Sequence, residues 1–326
     1  MTFQNRRKSR VRPRSAQRHA LVRTPLLFTA LCLSVAGCAG PTSPADAAAE
    51  PFAANSPWRT ELNPAAALDS NSSAMVNQAA RRDALNANLD QYGIPIYDAD
   101  ASTPRHAVTC TVTAWGRCPF TGVQVPIPTG ATPQSGSDGA MAVIDRSAGK
   151  VYEFWQARHV GAEWVTSFGA INSLYGSGWG GASTGSGASR LAGVIRVSEI
   201  RSRVIPHALA LQSDNVCAGV FRRPAIKTDG KSIRPDCVPA GARLRLDPRL
   251  DLRTLKLTAA ERAVAQALQT YGAYVIDIGG APLSVSFERD PAAPGAGIGS
   301  TYTAAGLRWD YDDLGGIPWH RLQVLQ

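Results

Sequence analysis

One histidine and a few carboxylates are the residues of this sequence best placed to move protons. His207 stands in I-P-H-A-L, within the stretch Arg190–Gln212 that a glycine-rich run precedes. If residues 205–212 are extended, Ile205, His207, Leu209 and Leu211 share one face, because side chains alternate along a strand. Burial among large apolar groups keeps an imidazole neutral and suits it to accept a proton. Glu199 lies eight residues earlier, on a short helical turn, V-S-E-I-R. A tight bend would bring it to His207; Arg196 and Arg203 are competing partners. Asp138, in S-G-S-D-G, and Asp277, ending A-Y-V-I-D, stand where strands meet turns. His207, Glu199, Asp138 and Asp277 are therefore the candidate catalytic residues of a hydrolase or lyase. The competing reading is structural: strand-end carboxylates cap turns, and a core histidine is satisfied by backbone carbonyls.

Substrate contacts are sought among aromatic side chains. Glu153 and Trp155 share one face of the strand predicted at 151–156, and Tyr152 and Phe154 take the other. Tyr175 and Trp179 follow nearby. Trp and Tyr rings stack on the apolar faces of sugars and keep a polar handle, so Trp155, Glu153, Tyr175 and Trp179 form the candidate binding set. Core packing of both strand faces is the alternative. Residues 176–187 hold six glycines in 12 residues, as a flexible loop over a groove would. Its G-A-S-T-G matches a nucleophile elbow only formally, since neither an apolar strand nor a helix flanks it. Gly230-Lys231-Ser232 ends like a phosphate loop but lacks the upstream glycine. Asp310, Asp312 and Asp313 lack the spacing of a calcium loop. No metal site and no cofactor is expected.

Short strands must position these groups. Alternating or extended patterns occur at 94–97, 108–115, 123–128, 141–145, 151–156, 163–168, 205–212, 242–246, 273–277, 283–288 and 322–325. Met75, Ala79, Leu85 and Leu89 predict a helix over 72–92, closed by Gly93. Thr258-Ala259-Ala260-Glu261 is a capping box that opens a second helix, with Val264, Leu268 and Tyr271 on one face. Many short strands with few helices predict a mainly β single domain, a β-sandwich or jelly-roll-like fold.

The first 37 residues read as an export signal: eight basic residues and no acid, then a 13-residue apolar run from Pro25 to Gly37. That run is shorter than the roughly 20 residues that span a bilayer. It ends Val35-Ala36-Gly37-Cys38, which resembles a bacterial lipobox and implies cleavage before Cys38 and lipidation of its thiol. Residues 38–57, rich in Ala and Pro, read as a flexible tether, and residues 58–326 as one β-rich domain. The expected location is the outer face of the bacterial cell membrane, held by the lipid at Cys38. The whole chain carries +9, from 34 basic and 25 acidic residues. Losing the eight basic residues of the signal leaves 26 against 25, or +1, so the basic balance is no argument for nucleic acid. A glycan is the expected ligand, as the substrate of a hydrolase or lyase; the alternative is a non-catalytic glycan-binding or structural envelope lipoprotein, and oligomeric state is not readable. Four further cysteines, Cys110, Cys118, Cys217 and Cys237, read as disulfides in an exported chain. Three pairings exist; Cys110–Cys118 and Cys217–Cys237 are favoured because each pair brackets a short loop.

Several segments together resemble a family of exported bacterial β-rich proteins and lipoproteins. They include P-I-P-T-G-A at 126–131, G-S-D-G-A-M at 136–141, L-A-G-V-I-R at 191–196, I-P-H-A-L at 205–209 and R-W-D-Y-D-D-L at 308–314. The resemblance covers residues 58–326 and implies export and a β-rich fold, without an activity. Ala140 stands where the family pattern often has histidine, so a catalytic histidine at that turn is not implied.

Overall fold

Two sheets face each other across a layer of small and aromatic side chains. The computed structural model describes residues 51–82 and 85–326. The strands of the two sheets are, in chain order, β1 (Asn86–Asn88), β2 (Ile96–Ala99), β3 (Met141–Asp145), β4 (Lys150–Trp155), β5 (Phe168–Ser173), β6 (Leu209–Ser213), β7 (Arg243–Leu246), β8 (Ala273–Ile278), β9 (Ser284–Ser286) and β10 (Leu322–Val324). One sheet has the order β1-β9-β6-β8-β7-β10, the other β5-β4-β3-β2. The described helices are α1 (Ser72–Ala79), α2 (Val197–Ser202), α3 (Ala259–Thr270) and α4 (Ser300–Ala304). The protein is thus mainly β and forms a single β-rich domain over these residues. Pairing is mixed: β1–β9, β2–β3 and β6–β8 are parallel, while β3–β4–β5 is an antiparallel meander.

Side-chain alternation builds the layers. On β3, Ala142 and Ile144 point between the sheets, and Met141 and Val143 enter the outer cluster with Phe154 and Trp164. On β8, Tyr274 and Ile276 point inward; Ala273 and Val275 pack on the far side with Val264 and Leu268 of α3. Ala208 and Ala210 keep the inner layer thin, and Trp58 fills it, stacked on Trp179 at 5.1 Å and edge-on to Tyr274 at 5.0 Å. The α3 capping box is formed: Glu261 N donates to Thr258 Oγ1 at 3.2 Å and Thr258 N to Glu261 Oε2 at 2.7 Å. Both favoured disulfides are present, Cys110–Cys118 and Cys217–Cys237.

Three boundaries differ from expectation. The helix predicted over 72–92 stops at Ala79, and Asn86–Asn88 is a strand. Leu85 and Leu89, four apart, fit a helix, but with Ala87 they are equally the buried face of an extended chain. Order begins before Trp58, within the expected tether: Phe52 is buried and donates its N–H to Leu174 O at 2.6 Å. The strand expected at 205–212 starts at Leu209, so His207 precedes it. The signal and Cys38 lie outside the described residues. No described helix is long and apolar enough to cross a membrane.

Candidate active site

Between the sheets, beyond the aromatic layer, the inner faces turn polar and a cleft of about 1370 Å³ opens. Alternation creates its floor. Asn86 and Asn88 on β1, Ser284 and Ser286 on β9 and Gln212 on β6 line the cleft, while Ala87, Val285 and Leu211 between them face the core. Gln212 ties the floor together, donating to Ser286 Oγ at 2.8 Å and accepting from Ser284 Oγ at 2.9 Å. A register slip between Leu211 and Gln212 sets Gln212 beside Asp277 on β8. Trp155, Phe168 and Asn172 line the cleft from the other sheet.

Asp277 and Asp229 are its chemically distinctive pair. Asp277 accepts the Gly185 N–H at Oδ1 and the Arg190 guanidinium at Oδ2, 3.2 Å away. Asp229 accepts the Ile278 N–H at 3.1 and 3.2 Å. Gly185 is wedged against Asp229: a β-carbon there would overlap the Asp229 carboxyl. One glycine therefore touches both carboxyls. Burial pushes Asp277 up to about 7; Arg190 opposes the rise, and the negative charge of Asp229 adds to it. Burial also raises Asp229, against the Ile278 N–H. Asp277 thus still holds its proton in much of the population at neutral pH, beside a second raised carboxyl. Asp138 lies in the same cleft, and its charge too raises Asp277. The Trp155 indole N–H donates to Asp138 Oδ1 at 3.4 Å.

Beneath this pair the glycine-rich loop is tied down. Fully buried Glu153 accepts hydrogen bonds from the hydroxyls of Ser183 and Ser189. Ser186 N donates to Ile276 O at 2.9 Å. The loop expected to be flexible is therefore a fixed wall, and Glu153 anchors it from below. Arg190 Nε, Asn172 Nδ2 and Gln134 Oε1 are buried, line the cleft and have no protein partner. Buried polar atoms in that condition suit pairing with a ligand's hydroxyls. Among the described residues no cluster of His, Cys, Asp or Glu could hold a metal ion.

The expected residues divide. Asp138, Asp277 and Trp155 share the cleft. His207 and Glu199 do not line it; they find each other instead, Nε2 to Oε1 at 3.1 Å. Nδ1 of His207 lies 2.9 Å from Ala208 O, and Nε2 faces the carboxylate. Glu199 also accepts the Arg196 N–H at 2.7 Å, closing the capping box of α2. This arrangement holds a helix start to a strand start. Tyr175 is exposed and packs on Gly149, outside the cleft, and Trp179 belongs to the inner aromatic layer. Sequence reasoning missed Asp229, Arg190 and Trp115. Trp115, 58% exposed, stacks on Trp155 at 5.4 Å and sets its edge to Phe168 at 5.7 Å. The available signal was the cysteine spacing: Trp115 and Asp229 each lie inside a disulfide-closed loop.

No protein-family model, curated protein or solved structure matches the chain. Geometry and chemistry carry the functional reading.

Proposed function

We propose that this protein is an exported lipoprotein that hydrolyses an extracellular polysaccharide in the cleft between its sheets. The observation that carries the reading is Asp277, a carboxyl raised to about 7 beside a second raised carboxyl, in a cleft where an exposed indole, Trp115, stacks on Trp155. A carboxylic acid that keeps its proton near neutral pH is the group that protonates a glycosidic oxygen as its bond breaks. In this reading Asp138 takes the proton of the water that adds to the anomeric carbon. Arg190 orients the acid, and Asp229 keeps it protonated. Trp115 and Trp155 seat a sugar ring by stacking. The segment around Cys38 supports anchorage at the outer face of the cell membrane.

The test is release of new reducing ends from a panel of soluble plant and cell-wall polysaccharides. Asp277→Asn lowers turnover by about 10²–10⁴-fold, the usual contribution of an acid catalyst, with binding retained. Because the acid must hold its proton, the wild-type rate falls as pH rises through about 7. Binding without any product would make the cleft a non-catalytic glycan-binding site. Neither binding nor product across the panel would reject the reading.

A further inference from the structure

A second aromatic group is joined to the cleft through the turn that carries Asp138. Tyr92 and Tyr311 line the cleft, and Trp309 packs edge-to-face on Tyr311 at 5.6 Å while remaining 55% exposed. This group is built rigidly. Both carboxylate oxygens of Asp310 accept backbone N–H groups, from Leu89 at 3.0 Å, Asp90 at 2.6 Å and Gln91 at 2.9 Å. The Tyr311 hydroxyl donates to Gln91 Oε1. The turn that carries both rings is therefore pinned to the segment that carries Tyr92.

The turn at 136–138 joins this group to the first one. Gly136 N donates to Gln91 O at 2.7 Å, and a β-carbon on Gly136 would sit 2.6 Å from the Tyr92 ring. Ser137 Oγ meets the Tyr92 hydroxyl at 3.1 Å, and Asp138 accepts from Trp155 at 3.4 Å. Trp309, Tyr311, Tyr92, Ser137–Asp138, Trp155 and Trp115 thus form one connected wall, with an exposed indole at each end. Burial cannot account for rings left in water, and their fixed backbone lowers the cost of ordering them on a ligand. The cleft volume, about 1370 Å³, also exceeds the roughly 300–1,000 Å³ of a small-molecule site.

We infer that this wall is an extended aromatic track that seats consecutive sugar rings on both sides of Asp138, so that the cleft engages a polysaccharide within its chain and not at an end. The inference rests on the polysaccharide reading above and adds the mode of engagement. It is tested by affinity electrophoresis in native gels containing hydroxyethylcellulose, xylan, glucomannan, laminarin or glycol chitin. At least one polymer retards the wild type, and oligosaccharides of that polymer with six units compete while those with two do not. Trp309→Ala and Trp115→Ala each weaken retardation by about two- to tenfold, the loss expected of one stacking ring. Both rings are exposed, and unchanged melting curves confirm folded variants. If Trp309→Ala binds like the wild type while Trp115→Ala is weakened, or if two-unit and six-unit oligosaccharides compete equally, the extended track is overturned and the polysaccharide reading stands. If no polymer retards the wild type, the polysaccharide reading itself fails and the track with it.

Discussion

Asp277 holds its proton near neutral pH because folding removes its carboxyl from water and sets it near Asp229. That proton has a thermodynamic consequence besides the proposed catalytic one. The folded-state value, about 7, lies above the unfolded value near 3.8. The contribution of Asp277 to stability is therefore full below about pH 4 and is lost as pH rises toward 7. The loss is roughly 4 kcal/mol, since each pH unit between the two values is worth about 1.36 kcal/mol. Replacing Asp277 by Asn removes a titration, so the melting temperature of the variant relative to the wild type climbs between pH 4 and pH 8. A difference that stays flat across that range would show that the carboxyl is not raised. At this scale the sequence was legible by residue type and not by partner. Asp277 and Asp138 stood out as strand-end carboxylates, but their convergence depends on two sheets that are distant in sequence. His207 stood out equally, and it is buried as expected, but it precedes the strand instead of lying on its face. Its partner, Glu199, turned the pair into a brace because α2 and the segment before β6 are adjacent in the chain.

Elements are positioned here by pairs of covalent and hydrogen-bonded clamps. The Cys110–Cys118 loop presents Trp115, and the Cys217–Cys237 loop presents Asp229. In the second loop Thr228 Oγ1 donates to Cys217 O at 3.2 Å, and Gly230 presses on the same carbonyl so closely that a β-carbon there would overlap it. The turn bearing Asp229 is therefore referenced directly to the disulfide. Replacing Cys217 and Cys237 by Ser costs about 2–4 kcal/mol, as for loops of this length. It also loosens Asp229, so Asp277 loses a raising charge and the alkaline limb of the pH–rate profile moves to lower pH. Stability loss with an unmoved limb would show that Asp229 is held without the bridge. The β3–β4 hairpin was legible from sequence, as two short apolar runs around a turn, and so was the shared face of Glu153 and Trp155. Segment 85–89 was not, because apolar residues four apart satisfy both a helix and a strand, and only the partner strand β9 decides.

At the scale of the whole molecule, chain length alone bounds the distance between the proposed anchor and the β-rich domain. Phe52 is already fixed in the inner layer, and fourteen residue steps separate it from Cys38. Whatever their conformation, fourteen steps span at most about 50 Å, given the roughly 3.5 Å reach of each residue. Under the proposed function, a lipid at Cys38 would keep the domain within that reach of the membrane. Stable anchorage of the proposed kind would need more than one acyl chain, since one gives only marginal, reversible attachment. The near-neutral balance left after the signal, 26 basic against 25 acidic residues, adds little electrostatic attraction to anionic lipid. The proposed attachment would therefore depend on the thiol of Cys38. Expressed in a bacterial host, the wild type partitions into the detergent phase and incorporates a labelled fatty acid. Cys38→Ser appears in the aqueous phase without label, with the melting curve and cleft activity of the soluble domain unchanged. A Cys38→Ser protein that still fractionates with membranes would overturn lipid anchorage and require a binding surface on the folded domain.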